Sequence, residues 1–272
     1  MIAEPDLSYA VSAFLGVLQG IAEFLPISSS GHLSLAQAWL GIDPESAGHS
    51  FNIVVHAGTL LAVLLIFRRD LIDLVRGLID PARVPWARPM FVALVVASSP
   101  LLVVLLPGVE DAVIGMEGEV RWIGVALLIT AALLGFSHRK HAPHDDRLAP
   151  PSLKVAFLIG LAQLIAVLPG ISRAGSTIAA GLALGLGRAR AARFSFLLSI
   201  PAVGAATLKE GLEVAGEGVG ALPVGPFVLG FALSFVVGLL SLGLLLRLIE
   251  RVGMLPFVPY LIALGTAALI IG

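Results

Sequence analysis

Near-continuous apolar stretches recur along the whole 272-residue chain and constrain its fold more than any other feature. Most approach the ~20 residues that an α-helix needs to cross a hydrocarbon core about 30 Å thick. Hydrophobic residues make up 58% of the chain and charged residues 13%, which is too few polar groups to cover a soluble protein of this length. We therefore predict an all-α integral membrane protein. The six predicted transmembrane helices are Phe51 to Phe67, Phe91 to Leu106, Trp122 to Phe136, Phe194 to Leu208, Phe227 to Leu246 and Met254 to Ile271.

Charge and cysteine content exclude several classes of function. The formal net charge of −1 offers no basic field, so we expect no nucleic-acid partner. The absence of cysteine excludes disulfide bonds and thiolate chemistry. Glu4 and Asp6 precede the first apolar run, where a cleavable signal would carry basic residues, so we expect no such signal. No Gly/Ser-rich linker divides the chain, and we predict one membrane domain over residues 1–272.

The distribution of charged loops predicts a topology, because Lys and Arg in short loops mark the cytoplasmic side. With the basic loops inside, both termini lie outside the cytoplasm. Tyr9 to Leu40 must then begin and end outside, whereas Val155 to Leu186 must begin and end inside. The basic segments are Arg68 to Arg88, His138 to Lys154, Arg188 to Arg193 and Arg247 to Arg251, and the acidic ones are Glu110 to Glu119 and Glu210 to Glu217.

The two stretches that return to their own side are broken near the middle. Pro26 interrupts the first, and Pro169 with Gly170 interrupts the second. Proline removes a backbone donor and stops a helix. Irregular backbone survives at membrane depth only inside protein or beside water. We therefore predict two re-entrant helix–loop–helix hairpins besides the six full spans.

An internal repeat relates the two hairpins. Gly16 to Gly31 and Gly160 to Gly175 are identical at seven of sixteen positions, at a constant offset of 144 residues. Each half then contains one hairpin and three full spans, with halves of approximately 1–137 and 152–272. Because three is odd, the second half is inverted relative to the first. In such folds a site lies near the midplane, where the broken helices meet.

The hairpin tips concentrate the polar side chains of an otherwise apolar interior. Gln19 and Glu23 are four residues apart and share one helix face. A charge at the bilayer centre costs at least about 2.5–3.5 kcal/mol, so Glu23 and Arg173 require a reason to be there. One interpretation is a structural ion pair with serines that cap helices; the other is an anion site, since Arg173 suits phosphate oxygens. His56, inside a span, is either part of this site or a hydrogen-bonded core histidine. The tip residues are Ser28, Ser29, Ser30, Gly31 and His32 in the first hairpin, and Ser172, Arg173, Gly175, Ser176 and Thr177 in the second.

Three segments of the chain resemble a known family. Gln19 to His32 resembles the first signature of the bacitracin-resistance type undecaprenyl-diphosphate phosphatases, Pro169 to Thr177 resembles the second, and Phe194 to Pro201 a further family stretch. The resemblance implies hydrolysis of undecaprenyl diphosphate to undecaprenyl phosphate and inorganic phosphate, which recycles the lipid carrier of cell-wall synthesis. It also implies a multi-pass protein of the plasma membrane, with its active site open to the outer face and a polyprenyl diphosphate lipid as substrate.

The same resemblance implies roles for individual residues. Glu23, Ser29, His32 and Arg173 form the catalytic set, and the nucleophile stays open between Ser29, His32 and an activated water. The implied cofactor is a divalent cation, Mg²⁺ or Ca²⁺, near Glu23 and the substrate phosphates, with no organic cofactor. A homodimer is left open. The substrate-binding residues are Gln19, Ser28, Ser30, Gly31, Ser172, Gly175, Ser176 and Thr177.

Two residues depart from the family pattern. Gln19 is the uncharged form of a position that also accepts glutamate, which argues against Gln19 as a base. Ala174 replaces a common serine, so that hydroxyl is dispensable or Ser176 substitutes for it. The alternative function is a transporter or flippase for a polyprenyl phosphate lipid, because inverted repeats with broken helices are also a transporter architecture. A carrier needs anion binding but no nucleophile.

Overall fold

The computed structural model describes residues 7–42, 49–138, 149–217 and 224–272. Within these ranges the chain forms α-helices and two 3-10 segments, Ser99–Leu105 and Leu255–Phe257, and contains no strand. The predicted all-α class is therefore confirmed for the described residues. The helices are α1 (Tyr9–Ala22), α2 (Ser29–Leu40), α3 (His49–Ile66), α4 (Arg68–Ile79), α5 (Ala87–Ser98), α6 (Val109–Ile114), α7 (Val120–His138), α8 (Leu153–Ile165), α9 (Arg173–Ala183), α10 (Arg188–Glu217), α11 (Val224–Val252) and α12 (Val258–Ile271).

Four helical segments are long and apolar enough to cross a membrane, and each overlaps a predicted transmembrane helix. The predicted span that begins at Phe51 forms α3, which bends by 67° into α4 after a break at Phe67. The last predicted span forms the shorter apolar helix Leu255–Ile271. The integral membrane class is thus supported, and the count of six spans stays a prediction. The four segments are Ala87–Leu105, Val120–Ser137, Arg188–Lys209 and Val224–Val252.

The outer surface is apolar where a soluble protein would be polar. Leu105 and Leu240 each expose 70% of their surface and Leu102 exposes 62%. The buried charges lie inside instead, where Glu23 pairs with Arg173. A large continuous apolar exterior marks a surface that contacts something other than water. Together with the long apolar helices, this exterior identifies a lipid-facing protein.

The bend between α3 and α4 is held by a charged contact with α10. The Arg193 guanidinium donates to Asp70 through Nε at 2.7 Å and pairs with it through a terminal nitrogen at 2.6 Å. The same guanidinium lies 4.6 Å from the centroid of the Trp86 ring, in cation–π geometry. Arg193 thereby ties α4 and the start of α5 to α10.

The two broken helix pairs begin their helices at equivalent positions of the repeat. The Ser8 hydroxyl caps α1 by accepting from the Val11 amide at 3.3 Å, and Ser152 caps α8 in the same way at 3.4 Å. At the break, Ser28 caps α2 and Ser172 caps α9. All four are N-caps that satisfy amides the helix leaves unpaired. The offset of 144 residues therefore holds for local structure as well as for sequence.

Small residues bring the broken pairs close to their neighbours. A Cβ atom on Gly16 of α1 would lie 2.7 Å from the Gly230 carbonyl oxygen of α11. At the equivalent position of the second half, a Cβ atom on Gly160 of α8 would collide with the Ala97 carbonyl of α5. Only glycine permits such backbone approach between membrane helices. Each half therefore packs its first helix against a long helix of the other half.

The two breaks meet each other at their tips. A Cβ atom on Gly31 would lie 2.9 Å from the Gly170 Cα. Gly170 has a φ of 89° and Ser28 a φ of 72°, so both tips turn through left-handed backbone. Thr130 of α7 supports the second tip by donating to the Gly170 carbonyl at 3.3 Å and accepting from the Ser172 amide at 3.1 Å. The tips thus form one packed junction.

Candidate active site

An ion pair between Glu23 and Arg173 joins the two tips. Glu23 follows α1 directly and Arg173 is the first residue of α9. The carboxylate Oε1 lies 2.5 Å from a terminal guanidinium nitrogen, and the two side chains are only 8% and 16% exposed. Burying both charges is costly unless their geometry is good and other hydrogen bonds complete the site. The structure thus brings together the two charged residues that the sequence singled out.

Ser29 contacts the same carboxylate from within the first hairpin. Its hydroxyl donates to Glu23 Oε2 at 2.7 Å. Ser29 is the first residue of α2 and corresponds to Arg173, the first residue of α9, at the 144-residue offset. Equivalent positions of the two halves therefore supply a hydroxyl and a guanidinium to one shared carboxylate. A hydroxyl that donates to a carboxylate has the arrangement of a nucleophile with its base.

Gln19 completes the polar shell on the α1 side. Its amide nitrogen donates to Glu23 Oε2 at 3.2 Å and to the Thr59 hydroxyl of α3 at 3.4 Å. Its carbonyl oxygen is buried and has no hydrogen-bond partner among the described residues. Because both donors of one amide are used, Gln19 holds Glu23 in place rather than acting as a base.

His32 faces away from the Glu23–Ser29 pair. Its Nδ1 lies 2.8 Å from the Ser28 carbonyl oxygen, and its Nε2 lies 2.7 Å from the Tyr260 hydroxyl of α12. A carbonyl only accepts hydrogen bonds, so Nδ1 carries the proton and Nε2 of the neutral ring accepts from Tyr260. In the described part of the chain no hydrogen bond joins His32 to Ser29. Ser29 and His32 both lie in the first turn of α2, yet Ser28 and Tyr260 take both ring nitrogens of His32.

The remaining serines of the first tip have structural contacts. The Ser28 hydroxyl accepts from the Gly31 amide at 3.3 Å and lies 3.3 Å from the Ser30 hydroxyl. Ser28 is 96% buried, since its relative exposure is 4%. These contacts make Ser28 the cap of α2 and leave Ser29 as the tip hydroxyl that reaches Glu23.

The second tip divides into capping and unpaired groups. The Ser172 hydroxyl accepts from the Gly175 amide at 3.1 Å. Thr177 lies 2.6 Å, oxygen to oxygen, from the Ser195 hydroxyl of α10, so it ties α9 to α10. The Ser176 hydroxyl is buried and has no hydrogen-bond partner among the described residues. Of the predicted residues in this tip, only Ser176 keeps a free hydroxyl.

An unsatisfied guanidinium nitrogen marks where a ligand would bind. One terminal nitrogen of Arg173 is buried and has no hydrogen-bond partner within the described ranges, while the other holds Glu23. A buried donor left unpaired costs about 1–3 kcal/mol. Thr59 of α3 and Ser199 of α10 line the same narrow crevice beside Glu23 and Arg173. The unpaired donor of Arg173 suits an anionic group.

His56 and Tyr260 also belong to the site. His56 Nε2 lies 3.8 Å from Glu23 Oε2, and its Nδ1 lies 2.7 Å from the Asn52 carbonyl oxygen. His56 therefore lies beside Glu23 and is also hydrogen-bonded within α3, so it has features of both interpretations. The sequence singled it out because it is a polar residue inside an apolar span. Tyr260 carries no comparable signal, because its role depends on α12 lying beside α2.

The fold and the site together define a class of protein. It is a polytopic α-helical membrane protein with a buried carboxylate, guanidinium and hydroxyl at the junction of two broken helix pairs. The profile of the family described as bacitracin resistance protein BacA matches residues 12–267. The chain belongs to this family.

Several curated relatives match nearly the whole chain. Undecaprenyl-diphosphatase from Geobacter sulfurreducens is 40% identical over 273 residues, covering 97% of each protein. The enzyme of that name from Alcanivorax borkumensis is 41% identical over 261 residues, covering 94% of this chain and 96% of the relative. The one from Methanosphaera stadtmanae is 39% identical over 274 residues, covering 94% and 95%. The similarity therefore extends across both halves.

Proposed function

We propose that this protein hydrolyses undecaprenyl diphosphate to undecaprenyl phosphate and inorganic phosphate. The observation that carries the proposal is the unpaired guanidinium nitrogen of Arg173, beside the Ser29 hydroxyl that donates to Glu23. An anion held by Arg173 would lie next to a hydroxyl with its own base. The names of the curated relatives give the same reaction. The product of this reaction is the recycled lipid carrier of cell-wall synthesis. The activity also accounts for bacitracin resistance, which the family description names.

The first step transfers the terminal phosphoryl group to Ser29. The Ser29 oxygen attacks the terminal phosphorus and its proton passes to Glu23 Oε2, 2.7 Å away. The bond from phosphorus to the bridging oxygen breaks, and undecaprenyl phosphate leaves. Arg173 and the amides at the start of α2 and α9 stabilise the charge on the transferring group. A water then attacks the phosphorus of the phosphoserine and the bond from phosphorus to the Ser29 oxygen breaks. Glu23 returns its proton to that oxygen, and inorganic phosphate leaves with the protons of the water.

A divalent cation fits this site only together with the substrate. Mg²⁺ commonly binds through one or two carboxylates and substrate phosphates. Among the described residues no cluster of three His, Asp or Glu side chains could hold a metal. Glu23 already accepts from Ser29, Gln19 and Arg173, and the Gln19 carbonyl oxygen is the neighbouring acceptor without a partner. We propose that Mg²⁺ or Ca²⁺, when bound, neutralises phosphate charge at Glu23.

The purified protein should release phosphate from undecaprenyl diphosphate in detergent, and should do so faster than from inorganic diphosphate. The reason is that the polar site lies inside a lipid-facing fold, which a prenyl chain can enter from the membrane. Phosphate release is measured colorimetrically at equal substrate concentrations. Tight binding of undecaprenyl diphosphate without phosphate release would instead favour the transporter or flippase function.

We further propose that six full spans and two re-entrant hairpins form an inverted repeat, with the site open to the outer face. The support comes from the basic loops and from the length of α1, α2, α8 and α9, each of at most 14 residues. At 1.5 Å per residue such helices reach ~21 Å, less than the hydrocarbon core. The junction of the two tips therefore lies at membrane depth, as in transporters built from inverted repeats.

Cysteines placed at Ala3 and Gly272 should both react with a membrane-impermeant thiol reagent in intact cells, because both termini are proposed to lie outside. The natural chain contains no cysteine, so each variant carries one reactive thiol. A cysteine at Ala142 is the control for the cytoplasmic side and should react only after the cells are lysed. Protection of either terminus, with labelling at Ala142, would contradict the inverted repeat.

A further inference from the structure

An apolar groove runs between α1, α2 and α12. Its wall includes Phe14, Trp39 and Leu264. Its polar lining residues are His32 and Tyr260, which lie together. The groove is open to the outside, since Phe14 is 52% exposed, Trp39 54% and Tyr260 47%. In a membrane, such an opening faces lipid.

The His32–Tyr260 pair forms a defined polar end to this groove. The rings stack with centroids 5.7 Å apart and an interplanar angle of 16°. The Tyr260 hydroxyl lies 2.7 Å from His32 Nε2, and the Ser28 carbonyl fixes the other ring nitrogen. The Tyr260 hydroxyl can turn its hydrogen to an incoming oxygen atom instead. Tyr260 can therefore exchange its hydrogen bond to His32 for one to a ligand.

The position of the pair relative to the nucleophile suggests which ligand group it meets. His32 binds the carbonyl of Ser28, the residue that precedes Ser29. With the terminal phosphate of a diphosphate at Ser29 and Arg173, the prenyl-linked phosphate is one P–O–P bridge away. That phosphate must lie between the tip and an apolar surface, because its ester oxygen carries the hydrocarbon chain. The groove is such an apolar surface, because His32 lines it and also belongs to the first tip.

We propose that Tyr260, positioned by its stacking on His32, donates a hydrogen bond to the prenyl-linked phosphate of the substrate, and that the groove takes the first isoprene units of its chain. The inference rests on the proposed function. Tyr260 is then a specificity-determining residue that contacts the substrate. The single occupant of the apolar groove is a prenyl chain. Tyrosine suits this place because its ring lies against hydrocarbon while its hydroxyl meets a polar group.

Tyr260→Phe tests the phosphate contact while keeping the ring and its stacking. We expect kcat/KM for farnesyl diphosphate and for undecaprenyl diphosphate to fall about tenfold, mainly through KM, because one hydrogen bond to a charged group is lost. The melting temperature in detergent should fall by no more than a few degrees, because the substitution also removes the hydrogen bond to His32 Nε2. Tyr9→Phe is the matched control, since Tyr9 is the only other tyrosine and lies 62% exposed at the start of α1. If Tyr260→Phe stays within twofold of the parent for both substrates, the contact is refuted.

Trp39→Ala tests the occupant of the groove. The substitution should lower kcat/KM for undecaprenyl diphosphate about fivefold or more and leave kcat/KM for dimethylallyl diphosphate within twofold. The reason is that only a long chain reaches from the polar end of the groove to Trp39. Leu240→Ala, at a 70% exposed position of α11 outside the groove, is the control and should alter neither value. Equal loss for both chain lengths would overturn the groove assignment. A parent protein that releases no phosphate from any prenyl diphosphate would refute the proposed function itself, and the role of Tyr260 with it.

Discussion

Ser29→Ala should reduce phosphate release from undecaprenyl diphosphate on the order of a thousandfold or more, with the protein still folded. Ser29 is the tip hydroxyl that donates to Glu23, at 2.7 Å, so its removal eliminates the attacking oxygen of the proposed covalent step. The substitution should leave the structure intact, because the helix cap is provided by Ser28 and not by Ser29. Single-turnover phosphate release measures the chemical step, and a thermal melt in detergent checks the fold.

Ser30→Ala is the matched control for this experiment. The Ser30 hydroxyl lies 3.3 Å from that of Ser28 and contacts no other described side chain in the site, so its loss should cost less than tenfold. Ser29→Cys should keep slight activity, since a thiol attacks phosphorus poorly. If Ser29→Ala turns over within about threefold of the parent, a gap of roughly 0.7 kcal/mol in barrier, Ser29 is not the nucleophile. His32 or an activated water would then take that role.

Arg173→Lys should lower turnover about a hundredfold although the positive charge is kept. One terminal guanidinium nitrogen pairs with Glu23 at 2.5 Å, and the other is buried and has no hydrogen-bond partner among the described residues, so the side chain can hold the carboxylate and a phosphate together. A lysine ammonium is a point charge and cannot reproduce this planar arrangement. Loss of one donor to a developing charge costs about 10²–10³ in rate in other enzymes. The measurement is kcat for phosphate release at saturating substrate.

Arg83→Lys provides the control for the exchange of arginine for lysine. Arg83 pairs with Asp80 at 3.0 Å on the surface, where its side chain is 82% exposed, and the substitution should leave turnover and melting temperature unchanged. Near-normal turnover of Arg173→Lys would reduce Arg173 to a structural partner of Glu23. In that case the structural ion pair weighed at the outset would be the correct interpretation of these two charges.

The sequence was most informative where a local rule decides the structure. Proline and glycine interrupt two apolar stretches, and the helices do end before Pro26 and before Pro169. Serines at Ser28 and Ser172 stand before the returning helices and cap both of them, as their residue type predicts. Each of these features depends on residues within a few positions of one another. The predicted junction between the halves and the residues before Leu7 lie largely outside the described residues.

The hydrogen-bond partners of His32 are a feature that residue spacing alone does not predict. His32 lies three positions after Ser29, and the turn between them is helical, so the two side chains could have met. Instead Nε2 lies beside Tyr260, 228 residues away in sequence, and the Ser28 carbonyl takes Nδ1. No spacing in the sequence encodes the position of α12 beside α2. Among the described residues, the hydrogen-bond partner of the Ser29 hydroxyl is therefore Glu23 and not His32.

By itself the sequence determined the membrane class, the two breaks and the polar residues at their tips, because apolar length, proline and buried charge each follow from the cost of exposing or burying groups in lipid. Only the tertiary structure decided which of those polar groups touch. Glu23 joins Arg173 across 150 positions, and Gly31 meets Gly170, because helices from opposite halves pack closely through glycine. Such contacts depend on how surfaces fit together, which the order of residues along one helix does not specify.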